Sequence, residues 1–149
     1  MTMKVKIDSL KRIIEAAIGL VAITIGGLIY IRYRDENLLM FDWFQNIGIL
    51  NCIESFRSVN DSQNLYGWVK NSMPAALWLF SYLFIIDSIW GKETSIIYKY
   101  YLYIMPVLAV GSEYLQYFSV LPGTYDILDV LGYAVACLLF IIIKNNINI

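Results

Sequence analysis

The sequence predicts an all-α integral membrane protein: four transmembrane helices, with an amphipathic segment between the first and the second. Three observations predict it. Hydrophobic residues fill 59% of the 149 positions and charged residues only 15%, against about 45–50% and about 25% in a soluble domain. Mean hydropathy is +0.61. Four apolar runs of membrane length are separated by turn signals and charges. This composition excludes a disordered chain, a coiled coil, a collagen-like fibre and a disulfide scaffold, and it argues against an ordinary soluble enzyme. A net charge of −1 leaves no basic field for nucleic acid.

The first run is Ile13 to Ile31, about 28 Å of helix and enough for a bilayer core. Lys4, Lys6, Lys11 and Arg12 precede it. It is too long for a signal-peptide core and no small-residue cleavage site follows, so it reads as a retained signal anchor. Glu15 is expected to snorkel at the cytoplasmic end beside Lys11 and Arg12. Gly26 and Gly27, and Gly111 further on, are expected to permit close helix packing.

Residues 32–73 join the first two spans. Apolar and polar positions alternate at helical spacing from Leu38 to Phe56, which predicts an amphipathic helix on the membrane or over the bundle mouth. The second span is Pro74 to Trp90. Ser72 or Asn71 is expected to cap it, Pro74 suits the first turn and Gly91 the stop. Trp78 and Trp90 fall towards its two interfaces, and Asp87, one turn from the end, is expected to reach the headgroups.

The third span, Ile96 to Phe118, holds Tyr98, Tyr100, Tyr101, Tyr103, Tyr114 and Tyr117, read as interfacial belts. Pro106 predicts a kink near Tyr103 to Met105. The fourth span is Tyr125 to Ile143, ending at Lys144. Between these two, Pro122-Gly123 signals a turn and Thr124 an N-cap, so they form a tight helical hairpin. The whole chain, 1–149, is one membrane domain.

Orientation follows from counting Lys and Arg beside the spans. With the N-terminus inside, Lys4, Lys6, Lys11, Arg12, Lys92, Lys99 and Lys144 lie inside, and Arg32, Arg34, Arg57 and Lys70 outside. Seven against four predicts that both termini are cytoplasmic and that the Leu121–Thr124 turn faces out.

Histidine is absent, which removes Ser-His-Asp and Cys-His catalysis and imidazole-bearing zinc sites. Cys52 and Cys137 read as structural thiols. No phosphate-binding glycine loop, zinc-protease or calcium-loop motif occurs. No cofactor and no metal site are expected.

The informative stretch is Gly111 to Tyr133. Glu113 and Gln116 are three apart on one helix face; Asp126 and Asp129 are three apart on the next, with Tyr133 continuing the stripe. Counted from the helix ends, Gln116 lies about 4.5 Å down, Asp129 about 6 Å and Glu113 about 9 Å. Glu113, Gln116 and Asp129 are therefore expected to converge just below the outer surface. Carboxylates at such depth are costly, so they pair or they act. Asp126, read as the second helical position, also complements the helix dipole.

The same residues resemble the VanZ-like membrane proteins: an E-x-x-Q pair closing one span, Glu113 and Gln116, then D-x-x-D opening the next, Asp126 and Asp129, with Gly132 a turn later. Met73 to Trp90 is similar to the family's Pro-led aromatic span. The resemblance implies a multi-pass cell-envelope protein associated with tolerance to the glycopeptide teicoplanin. Three function classes follow: a non-enzymatic envelope protein that affects glycopeptide access to lipid-linked precursors; a small membrane enzyme using the Glu/Asp pair on a lipid-linked substrate; or a scaffold or transport subunit with a membrane partner protein. The bilayer itself is the one partner common to all three.

Overall fold

The computed structural model describes residues 2–58, 66–90 and 95–147, with side chains from residue 8. Among these residues seven helices follow in order: α1 Thr2–Tyr33, α2 Leu39–Asn46, α3 Leu50–Ser58, α4 Gly67–Asn71, α5 Met73–Trp90, α6 Ile96–Tyr117 and α7 Ile127–Ile147. Among the described residues there is no strand. Three stretches, Asp8–Tyr33, Met73–Trp90 and Ile127–Ile147, are long and apolar enough to cross a membrane.

α5 is the central helix. α1 runs antiparallel along it, and glycines set the approach: a Cβ on Gly19 would lie 3.1 Å from the Ser81 carbonyl, and one on Gly26 would lie 3.0 Å from the Trp78 ring. Gly27 and Gly111, expected to do the same, have no neighbour within 4 Å. α7 runs parallel to α5 on another side. Gly132 meets Ala76 near one end, Phe84 meets Phe140 edge-on at 5.1 Å, and Lys144 meets Asp87 near the other. α6 runs back between them, antiparallel to both. The apolar core of Leu83, Phe84, Tyr98, Leu102 and Phe140 lies towards the end where α5 and α7 finish. Arg12 of α1 donates Nε to the Ser88 carbonyl at 2.8 Å and also reaches the Ile89 carbonyl, capping α5 and placing the first turns of α1 at that same end.

Several local expectations change. The helix expected over Leu38 to Phe56 is two helices. Gly48, at φ +75°, ends α2; the Ile49 amide bonds the Phe44 carbonyl and the Gly48 amide bonds that of Gln45, both at 3.0 Å. This is a Schellman stop, which glycine favours. α3 then docks on α1 through two arginines. Arg32 donates to the Phe56 and Arg57 carbonyls, and Arg57 donates to the Ile31 carbonyl. Each guanidinium caps the other's helix end. Arg57 also pairs with Glu36 at 3.3 Å and covers the Phe41 ring at 5.0 Å.

α6 ends in a second Schellman stop, with Ser119 at φ +57°; the Val120 amide bonds the Leu115 carbonyl and the Ser119 amide that of Gln116, both at 2.9 Å. α6 is unbroken across Pro106. The Tyr82 hydroxyl donates to the Tyr101 carbonyl, one residue before the Leu102 carbonyl that proline leaves without its helical partner. α7 starts at Ile127, two residues later than expected, because Asp126 rather than Thr124 is its cap: Asp126 Oδ1 accepts the Leu128 amide at 2.8 Å. Ser72 does not cap α5 with its side chain, since its Oγ is buried without a partner. The expected stop at Gly91 lies outside the described residues.

Candidate functional site

Two polar clusters sit at opposite ends of the bundle. The first is the hairpin of α6 and α7, where the sequence places its site residues. Glu113 faces inward from α6 and is 4% exposed. Its Oε2 accepts the Asp126 amide at 3.3 Å, so the α6 carboxylate takes up a donor at the start of α7 that would otherwise be orphaned. Asp126 is occupied with capping and presents its carboxylate to its own helix. Asp129, one turn on, is half-buried, and its Oδ1 is buried without a partner. Tyr133 is 9% exposed and lies within electrostatic reach of both Glu113 and Asp129.

Gln116 takes a different role. A Cβ on Gly123 would fall 2.8 Å from the Gln116 side-chain amide carbon, so this amide lies over the turn glycine, which sits at φ +133°. The structure thus gathers Glu113, Asp126, Asp129 and Tyr133, and sets Gln116 against the turn above them. Among the described residues, no three His, Cys, Asp or Glu side chains are arranged to hold a metal ion. The arrangement is an acceptor site: a buried carboxylate, a free carboxylate oxygen and a phenol, suited to N–H or O–H donors of a ligand.

The second cluster was not foreseen in the sequence. Asp87 is 1% exposed and Glu15 5%; neither snorkels to a headgroup region. Asp87 Oδ1 accepts the Tyr98 hydroxyl at 2.5 Å and the Lys144 ammonium at 2.5 Å, and Lys144 also donates to the Tyr98 oxygen at 2.9 Å. Glu15 lies in the field of Asp87, Lys144, Lys11 and Arg12. Four helices each supply one member. Tyr98, read as an interfacial anchor, is a core hydrogen-bond donor instead. A signal was present: an Asp inside an apolar run needs a partner, and Lys144 closes the only other run that ends at the same face.

In this second cluster Asp87 Oδ1 and the Tyr98 hydroxyl are taken up in bonds that join α5, α6 and α7, whereas the hairpin cluster keeps a buried acceptor, Asp129 Oδ1, without a partner. The hairpin is therefore the better candidate for a ligand. No family model, no curated protein and no solved structure matches this chain.

Proposed function

We propose that this chain is a four-span cell-membrane protein of VanZ-like type, with both termini in the cytoplasm. Its outer hairpin engages a donor-rich head group on a lipid-linked envelope precursor and so lowers susceptibility to teicoplanin, without catalysing a reaction. The observation that carries this reading is the Glu113–Asp126 contact across the hairpin at 3.3 Å, beside the unpartnered Asp129 oxygen. An acceptor kept free at that position is matched by a donor on a ligand.

Direction supports a fourth crossing. α5 and α7 are parallel, so the chain must return over the same thickness between them. α6 makes that return in 22 residues, about 33 Å. Its lower hydropathy comes from Lys99, Glu113, Gln116 and the tyrosines. Charge supports the orientation. Lys11, Arg12, Lys99 and Lys144 lie at the end holding both termini; Lys4, Lys6 and Lys92, in the same count, lie outside the described side chains. At the other end, Arg32 and Arg57 are held on helix carbonyls, Arg34 lies over the Tyr30 ring and Lys70 over the Tyr33 ring.

The test is the teicoplanin inhibitory concentration in a susceptible bacterium expressing wild type, Glu113→Gln or Asp129→Asn at matched membrane abundance. A rise with wild type that disappears in both variants is expected. No rise with wild type removes the glycopeptide reading and leaves only the membrane architecture.

A further inference from the structure

A groove of about 440 Å3 runs between α5 and α7, walled by hydrocarbon from Ala76, Leu77, Phe80, Leu131 and Val135. Gly132 also lines it and lets the two helices close: a Cβ there would lie 3.1 Å from the Ala76 Cβ and 3.9 Å from the Ser72 carbonyl. This volume is within the range of small-molecule sites.

One end of the otherwise apolar groove meets a single hydroxyl-bearing side chain. Ser72 lines it, is 3% exposed, and its Oγ has no hydrogen-bond partner. Two charged residues that do not themselves line the groove neighbour residues at that end. Arg34 donates Nη2 at 3.5 Å to the carbonyl of Asn71, the residue before Ser72, and keeps a buried Nε unpartnered. Asp129, three residues before Gly132, keeps its Oδ1 buried and unpartnered. Buried polar groups are nearly always satisfied; the unmet Ser72 hydroxyl at the groove's end, with two more unmet groups next to its lining residues, points to a ligand.

We propose that this groove holds one acyl chain of a membrane phospholipid, its phosphate towards Arg34 and its head-group N–H donors towards Asp129 and Ser72. Both walls belong to helices apolar enough to cross a membrane, so hydrocarbon is what meets the groove at that depth. A cation and a carboxylate at the head end complement a phosphate and an ammonium. Trp68, 53% exposed at the groove's edge, marks the interfacial end, where indole prefers to sit. The inference rests on the membrane reading and on the free Asp129 oxygen, and not on glycopeptide susceptibility.

Trp68 supplies the probe. Protein carrying Trp43→Phe, Trp78→Phe and Trp90→Phe is reconstituted into phosphatidylcholine vesicles with rising fractions of acyl-brominated phosphatidylethanolamine or acyl-brominated phosphatidylcholine. Bromine quenches indole on contact. Half-maximal quenching is expected at an about fivefold lower fraction of the ethanolamine lipid, whose ammonium donates hydrogen bonds that choline cannot. Asp129→Leu abolishes that preference. Val135→Phe, which fills the groove from its rim, abolishes the tight phase for both lipids. Equal quenching by the two lipids without further substitution, or a tight phase that survives Val135→Phe, overturns the proposal. Should the triple-Phe background fail to fold, native mass spectrometry of the wild-type chain from mixed vesicles asks the same question. One retained phospholipid, enriched in ethanolamine and lost in Val135→Phe, is expected; no retained or no selected lipid overturns it. No glycopeptide enters either assay, so its failure and the failure of the susceptibility test are separate results.

Discussion

The Lys144 ammonium lies 2.5 Å from Asp87 Oδ1, joining the last turn of α7 to the last turn of α5. The Lys144 side chain is 28% exposed and that of Asp87 only 2%, so the carboxylate is the member with no access to water. Lys144 also offsets the negative C-terminal end of α7. The pair fixes the parallel register of two helices that are otherwise joined by hydrocarbon contacts, which are weakly directional in lipid.

Removing one partner leaves the other buried and unpaired. Lys144→Met is therefore expected to cost about 3 kcal/mol of stability, and the double variant Asp87→Leu with Lys144→Met less than the single one. Tyr98→Phe removes two hydrogen bonds, the one its hydroxyl donates to Asp87 and the one it accepts from Lys144, and should cost about 2 kcal/mol. Unfolding in mixed detergent micelles, followed by circular dichroism, gives the ranking. A double variant as damaged as the sum of the singles would show that the charges do not pair.

Gly19 and Gly27 lie two turns apart on α1 and predict opposite outcomes for one substitution. A side chain on Gly19 meets Ile85 Cγ1 at 2.8 Å and the Ser81 carbonyl at 3.1 Å, whereas Gly27 has open space. Gly19→Leu should push α1 off α5 and cost about 2 kcal/mol. Gly27→Leu should be neutral or gain up to about 1 kcal/mol from helix propensity. The same unfolding measurement decides it, and equal losses would remove Gly19 from the contact.

Ser119 adopts a left-handed conformation at φ +57° to close α6. That conformation costs a non-glycine residue about 1–2 kcal/mol. Ser119→Gly is expected to recover about 1 kcal/mol and to raise the unfolding midpoint. Ser119→Val, β-branched and worse suited to positive φ, should lower it. Identical midpoints for the two would mean that the stop carries no strain.

The long elements were legible because their signals are long. Met73–Trp90 and Ile96–Tyr117 fall almost where the apolar runs predict them. The break at Gly48 and the cap at Asp126 were missed because each depends on one or two hydrogen bonds that several sequence neighbours could equally supply. The depth argument brought Glu113 and Asp129 to one level because helical rise is fixed. Asp87 was misplaced for a related reason. Its depth alone fits a headgroup, and only the parallel packing of α5 and α7, a tertiary fact, brings Lys144 and Tyr98 around it.

Orientation can be read from two thiols at different depths. Cys52 is exposed on α3, at the bundle end opposite the start of α1 and the end of α7. Cys137 is half-buried and lies ten residues from each end of α7, about 15 Å from either end of that helix. With both termini cytoplasmic, a membrane-impermeant maleimide added to intact cells should label the wild-type chain once, at Cys52. Cys52→Ser should abolish the signal, and Cys137→Ser should leave it. If Cys52 reacts only after the membrane is permeabilised, the termini face outward. The hairpin of Glu113 and Asp129 lies at the same end as Cys52. That result would therefore put the acceptor site on the cytoplasmic face, out of reach of a glycopeptide.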